Sequence, residues 1–424
     1  MKLFKMEPFT EVSLICNSGY SMSKKNEIQD ELELANTLYL TGKLNSAGDI
    51  YARLGSKCPE ATARALLSLG DILEEEGKLD EALVAFTRAT KVDPRFADAW
   101  CNLGNVQAEL GYDKKALKSY RKAIDIDKNC KYSLNNLGNL LSEQGDGDAA
   151  INCFKRAIKV DDKFGDAYYN LGNLYRERDQ REEAIECYKK SIELDPDDNL
   201  APHLLAAMEG RTTDKAPEEY VESLFDEYSG RFDEELVEEL GYNIPAKLFK
   251  AFGQVCDKKT FEHTADLGCG TGLSGQKFRG VSKKLTGIDL SRHMLNAAKE
   301  KGIYDKLHKG EISEFLSQAI DQFDLIIATD VFIYLGDLDK VFAAAQHAAI
   351  KGAYFIFSVE SCRKDGYLLL KSGRYAHSKK YIASLAEKYG FSIKLKKKAK
   401  IRKEEADWVK GKLYVLEQIE QRKN

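Results

Sequence analysis

No two of the nine cysteines form a Cys-x-x-Cys pair, and the six histidines are equally scattered. That excludes a structural zinc spacing and a disulfide framework, so no metal is expected. Dispersed free thiols fit a reducing compartment, and the cytoplasm is the expected location. No apolar run approaches the ~18 residues of a membrane span, so no membrane role is expected. The opening MKLFKMEPFTEVSLICNSGY holds one short apolar patch broken by acids, unlike a secretory signal. Residues 1–27 read as a disordered extension, with Met22 an alternative start. Charge of one sign is lacking too: a net −4 and a pI near 6.0 give no global case for nucleic acid as a partner. What the chain does have is length for two or three domains, with 43% hydrophobic and 31% charged residues across 424 positions.

An internal repeat fills the first half. Leu69-Gly70, Leu103-Gly104, Leu137-Gly138 and Leu171-Gly172 recur every 34 residues. Twelve residues after each glycine stands an alanine (Ala82, Ala116, Ala150, Ala184). Four further on is an aromatic (Phe86, Tyr120, Phe154, Tyr188), and Pro94 and Pro196 close the first and last units. This pattern resembles the tetratricopeptide repeat, a helix–turn–helix unit whose small residues let two helices approach and whose aromatic fills the hole between them. A degenerate fifth unit precedes with Gly42, Ala47, Tyr51 and Pro59, and 199–209 reads as a capping helix. The array is expected over 28–210, about five repeats plus the cap.

NLGN occurs at 102–105, 136–139 and 170–173. Asn102 and Asn105 share a helix face, as do Asn136 with Asn139 and Asn170 with Asn173. In the repeat family that face lines the concave groove. A ladder of amides offers the donor and acceptor of a peptide backbone and resembles the asparagine ladder of the O-GlcNAc transferases. A protein or peptide partner in the groove is one expectation; solvated helix polarity or intra-repeat capping by the amides is the other.

Ten acids and one arginine stand between Pro217 and Glu239, with Tyr220, Leu224, Phe225, Tyr228, Phe232, Leu236 and Leu240 at helical steps. The connector, 211–250, is amphipathic. Its segment 225–233 is similar to the lid that precedes the first strand of many small methyltransferases.

Beyond 250, strand and helix alternate: strands near 264–269, 285–290, 307–312, 323–330 and 353–360, helices at 272–280, 291–301, 312–320, 337–349 and 378–388. That predicts an α/β domain over 251–424 with a mostly parallel sheet. The first strand runs into Asp266-Leu-Gly268-Cys-Gly270-Thr-Gly272, where bare backbone invites close approach of a ligand. A P-loop would need Gly-Lys-Ser/Thr, which is absent; Gly270-Thr-Gly272-Leu-Ser-Gly275 satisfies the dinucleotide string G-x-G-x-x-G, a weak match. An acid two residues before the first glycine suits a cationic ligand better than a pyrophosphate. A second acid, Asp289, ends the next strand 23 residues later, where a carboxylate can accept from both ribose hydroxyls. Its plainer reading is a helix cap, which Ser291 can supply instead.

Together DLGCGTG, GIDLS and FDLII resemble the class I S-adenosylmethionine-dependent methyltransferases from about 220 onward. The whole chain resembles bacterial methyltransferases with an N-terminal tetratricopeptide array: an all-α superhelix, then a Rossmann-like domain with a seven-stranded sheet. The resemblance implies S-adenosyl-L-methionine as cofactor, held by Asp266, Gly268, Cys269, Gly270, Gly272, Asp289, Leu290, Glu311, Ile312 and Thr329. Glu311 takes the adenine-contacting position, where aspartate is commoner. No Asn-Pro-Pro-Tyr follows strand four and no Pro-Cys nucleophile is present, against amide and cytosine methylation. Asp330, Tyr334 and His377 are the candidates for acceptor chemistry, His377 as a base on a loop at the ligand edge. Basic KLKKKAKIRK (394–403) reads as a solvated edge guard. The function expected is methyl transfer, with the repeats recruiting a protein or peptide. A small-molecule methyltransferase whose repeats only assemble partners, and a scaffold with a vestigial pocket, are the alternatives.

Overall fold

A computed structural model describes residues 22–197, 200–228, 241–404 and 407–419. The chain divides into two compact units after Asp195.

The first unit is five helical hairpins: α1 Met22–Leu40 with α2 Leu44–Gly55, α3 Pro59–Glu75 with α4 Leu79–Val92, α5 Ala97–Glu109 with α6 Asp113–Ile126, α7 Lys131–Glu143 with α8 Gly147–Val160, and α9 Gly165–Glu177 with α10 Arg181–Leu194. The repeat alanines Ala82, Ala116, Ala150 and Ala184 are buried, as are the four aromatics. The glycine is dictated by contact: a Cβ on Gly104 would lie 2.6 Å from the Tyr120 ring. The first helix begins at Met22, inside the stretch read as a disordered extension, because it carries Ile28, Leu32, Ala35 and Tyr39 into the core at helical steps.

The second unit opens with α11 Leu200–Glu209, read from sequence as the array's cap. Within its own unit this helix has a partner: His203 Nε2 lies 2.8 Å from the Gly373 carbonyl, and its ring meets Tyr220 and Tyr375. Next come α12 Glu218–Tyr228 and α13 Ile244–Phe252, then β1 Phe261–Leu267, α14 Leu273–Phe278, β2 Ser282–Asp289, α15 Arg292–Glu300, β3 Lys306–Lys309, α16 Ile312–Ser317, β4 Phe323–Ala328, α17 Asp339–Ala348, β5 Ala349–Ser361, β6 Tyr367–Leu369, β7 Tyr375–His377, α18 Lys379–Lys388, β8 Phe391–Glu404 and β9 Asp407–Gln418. Of the expected lid, 229–233 lies outside the described residues.

Strands β3-β2-β1-β4-β5 are parallel neighbours; β9 pairs antiparallel with β5, and β8 with β9. These seven make the expected sheet. A short β6–β7 hairpin is added where β7 pairs with the end of β5. Central β4 is buried at all six positions, as a parallel strand covered on both faces must be. The order reverses between β1 and β4, so their carboxyl ends define the crevice where such sheets bind ligands.

Candidate active site at the carboxyl ends of β1, β2 and β4

Asp266 sits one residue from the end of β1 and is 0% exposed. The Tyr304 hydroxyl donates to its Oδ2 at 2.7 Å, while Oδ1 is buried without a hydrogen-bond partner among the described residues. Burial raises its pKa to about 7, against the lowering effect of the Tyr304 hydrogen bond and with added repulsion from Asp289. The chain then turns through Gly268 and Gly270 at φ +59 and +52, a region closed to most side chains. Beside Gly268 a Cβ would strike Val331, whereas beside Gly270 it would meet nothing within 4 Å. Open space therefore lies over Gly270, between two acids.

Asp289 ends β2 and is nearly buried. Its carboxylate accepts from the Gly270 amide at 2.8 Å and from the Ser291 amide at 2.9 Å, which ties the two loops together. Ser291 does the capping of α15, accepting from the Met294 amide at 3.1 Å. Leu290 is half-buried beside it and Gly272 starts α14. Cys269 is buried, with a Cβ on Gly287 lying 2.9 Å from its Sγ, and its thiol is held far above the ordinary range by burial. Its side chain packs in the core, and its amide donates to the Ile288 carbonyl.

Glu311, expected at the adenine, has a structural task in the fold. It is the N-cap of α16: its carboxylate accepts from the Glu314 amide at 2.8 Å and from Ser313 Oγ at 3.1 Å, and Ile312 behind it is buried. Both oxygens are engaged by the first helical turn.

At the end of β4, Thr329 bonds Ser274 through their hydroxyls. Asp330 follows with φ +61, one of three described non-glycine residues at positive φ. Such a conformation costs about 1–3 kcal/mol and persists only where surroundings enforce it. Here the Asp330 amide donates to Ser358 Oγ at 2.9 Å and the carboxylate meets Arg402 Nη1 at 3.2 Å. Arg402 is 2% exposed and its Nη2 donates to Glu360 Oε1 at 2.5 Å. Glu360, itself buried at the end of β5, has its pKa raised by desolvation against the pull of Arg402. Arg402 belongs to the basic run read as a solvated edge guard, and this is a correction. The β8–β9 register shifts between Lys400 and Lys403, so Ile401 and Arg402 are both buried in succession. A bulge of this kind re-aims a side chain.

Tyr334 is buried, packs edge-on to Phe225 with centroids 5.5 Å apart, and has its pKa pushed to about 12 by burial. Phe225 belongs to the described part of the expected lid. His377 is a second correction: it lies in β7 at 1% exposure, not on a loop. Its Nε2 donates to the Gly336 carbonyl at 3.0 Å, its ring stacks on Tyr381, and burial lowers its pKa to about 4. That makes it too weak a base at neutral pH.

A third correction concerns the asparagines. Asn102, Asn105, Asn136 and Asn139 are no more than 4% exposed. The first three bond inside the array: Asn102 Nδ2 to Asp71 at 2.8 Å, Asn136 Nδ2 to Asn105 Oδ1 at 2.9 Å, and the Tyr120 hydroxyl to Asn105 Oδ1 at 3.0 Å. Amides so enclosed bind repeat to repeat instead of facing an incoming chain. Asn170 and Asn173 are partly exposed, with Asn170 bonded to Asn135 and Asn173 to Tyr188.

Tyr304, Arg402 and Glu360 were not foreseen. Arg402 carried one weak signal, as the only arginine in a run of lysines. Among the described residues no His, Cys, Asp and Glu cluster suits a metal ion, and no helix is long and apolar enough to cross a membrane.

Comparison with known proteins gives two kinds of match. Family models described as tetratricopeptide repeat match residues 97–130 and 165–198, and one described as TPR repeat matches 70–111 and 138–177. One described as methyltransferase domain matches 265–357. The chain is 28% identical over 120 residues to a ubiquinone biosynthesis O-methyltransferase of Pseudoalteromonas translucida, covering 27% of this chain and 49% of that protein. It is 27% identical over 112 residues to one of Aromatoleum aromaticum, covering 26% and 48%. The chain thus spans about half the length of the curated relatives it matches. Among solved structures, the N-methyltransferase NodS of Bradyrhizobium japonicum in complex with S-adenosyl-L-homocysteine aligns at 16% identity, over 47% of this chain and 98% of that one, with a TM-score of 0.38. YrrB, a TPR protein with an unusual peptide-binding site, aligns at 27% identity over 43% and 97%, with a TM-score of 0.34.

Proposed function

We propose that this chain, in which tetratricopeptide repeats precede a class I methyltransferase domain, binds S-adenosyl-L-methionine over Gly270 and methylates a protein or peptide recruited by the repeats. One observation carries the cofactor reading: a wholly buried carboxylate with an unpartnered oxygen stands beside open, side-chain-free backbone. An unpaired buried charge is costly, and a cation completes it. The α-ammonium of the cofactor is such a cation, while a pyrophosphate would face two acids. Asp266 is read as the ammonium partner, and Asp289 as exchanging its loop amides for ribose hydroxyls.

When bound, the cofactor supplies an electrophilic methyl group for in-line displacement. The chain's tasks are then alignment and exclusion of water. Phe225 and Tyr334 form an apolar pair beside the crevice. Asp330, fixed by Ser358 and Arg402, is the acceptor-side carboxylate. Tyr334 stays protonated at neutral pH and serves as a hydrogen-bond donor or wall, not a base. Recruitment by the repeats rests on the array as a binding surface, since four of its six ladder asparagines are buried. A small-molecule acceptor is the second reading, favoured by the two matched relatives being named O-methyltransferases of ubiquinone biosynthesis; the repeats would then serve assembly.

Calorimetry with S-adenosyl-L-homocysteine tests the first step. Wild-type protein should bind, and Asp289→Ala should weaken binding roughly 30- to 100-fold, the value of charge-assisted hydrogen bonds to two hydroxyls. No binding at all would favour the vestigial scaffold. Labelled methyl transfer into cell extract, split into protein and small-molecule fractions, separates the two acceptor readings.

A further inference from the structure

We propose that Tyr304 is a positioning residue that holds Asp266 for the cofactor's ammonium and makes cofactor binding release a proton. The inference rests on the reading of this pocket as the cofactor site.

Tyr304 lies in the loop between α15 and β3. Its ring is enclosed by three positions without a Cβ: one added at Gly275 would lie 2.5 Å from Cζ, one at Gly287 3.0 Å from Cδ1, and one at Gly272 3.2 Å from Cε2. Gly275, the last glycine of the G-x-G-x-x-G string, is therefore accounted for by room for this ring. The enclosure sets the hydroxyl 2.7 Å from Asp266 Oδ2. Burial keeps the phenol protonated, so it donates and the carboxylate accepts. With Oδ2 engaged, Oδ1 is the oxygen left for a ligand.

The groups facing Asp266 are Tyr304, Cys269 from the glycine loop, Asp289 from β2 and Tyr242 ahead of α13. Burial holds the Cys269 thiol and the Tyr242 phenol neutral. Asp289 alone adds charge, and it is negative. Among the described residues Asp266 therefore has no cationic neighbour of its own, and its carboxyl titrates near neutrality. An ammonium brought against Oδ1 favours the ionised form, and the displaced proton passes to buffer. Removing the hydroxyl while keeping the ring removes a donor that favours ionisation.

The test is calorimetry of S-adenosyl-L-homocysteine binding to the full chain, in buffers of different ionisation enthalpy, from pH 5.5 to 8.5. The wild type should release close to one proton at about pH 6 and almost none above pH 8, with affinity falling up to tenfold per pH unit below neutrality. Tyr304→Phe should shift the midpoint upward and still release a proton at pH 8. Asp266→Asn should release none at any pH. A Tyr304→Phe profile that is merely weaker at every pH, with the wild-type midpoint, would reduce Tyr304 to packing and overturn the proposal. If that variant fails to fold, the wild-type count decides: binding at pH 6 without proton release sinks the inference and spares the cofactor site. No binding by the wild type at any pH sinks both.

Discussion

Asp266 and His377 show two buried titratable groups working in opposite directions on stability. The His377 pKa is depressed to about 4, so the unfolded chain binds its proton first as pH falls below about 6.5. Its contribution is complete above that value and lost as pH falls toward 4, roughly 3 kcal/mol in all. His377→Gln should flatten this acid limb in urea unfolding measured between pH 7 and 4. The Asp266 pKa is raised to about 7, so the folded state holds a proton that the unfolded state has released. Stability from this group falls as pH rises from about 4 to 7, and Asp266→Asn should make the ligand-free protein relatively more stable at pH 8 while weakening cofactor binding. The windows overlap and offset, so only the single variants reveal each slope. Both residues were visible in sequence, but burial decides their chemistry. A histidine before a helix and an aspartate before a glycine loop look alike in sequence whether wet or dry.

At the scale of elements, the repeat helices and strand β8 make a contrast. The 34-residue period survives in the structure because one contact recurs in four of the five hairpins, glycine against aromatic ring. Gly104→Ala should overpack that contact and cost about 1–3 kcal/mol, offset by up to ~1 kcal/mol of helix propensity; thermal unfolding of the full chain checks it. Strand β8 gave no such warning. Its lysines from Lys394 to Lys400 are all exposed, and then the register shift turns Arg402 inward between Asp330 and Glu360. Arg402→Met leaves buried Glu360 and partly buried Asp330 without their shared cation and should destabilise by about 3–5 kcal/mol. Lys398→Ala on the same strand should change stability by less than ~0.5 kcal/mol. Equal effects of the two in chemical denaturation would mean that Arg402 contributes no more than its exposed neighbours. A bulge has no fixed sequence signature, so the arginine's direction was hidden.

At the scale of the molecule, the division after Asp195 falls ahead of α11, not behind it. A chain beginning at Pro196 keeps the His203 contact with Gly373, and one beginning at Arg211 loses it. We expect the first to unfold cooperatively and bind S-adenosyl-L-homocysteine with near wild-type affinity. The second should have a lower Tm by several degrees. If both behave alike in melting and binding, α11 adds nothing to the domain that follows. With the first of these chains, turnover on a protein acceptor should vanish and turnover on a metabolite should persist.

Local rules were enough for much of this protein. The repeat period, the alternation of strand and helix, and the acid–glycine–acid spacing are patterns of neighbouring residues, and helical and strand periodicity reports them directly. Such patterns determined the two architectures and the place of the crevice. Tertiary structure alone decided which polar groups are dry and whom they meet: Tyr304 on Asp266, Arg402 between two acids, Glu311 as a helix cap, and asparagines bonded repeat to repeat. Apart from the Glu311 cap, which is made to the two residues that follow it closely, those pairings join residues 30 or more apart or depend on a shifted register, and desolvation, which sets their charge and strength, is a property of the packed whole.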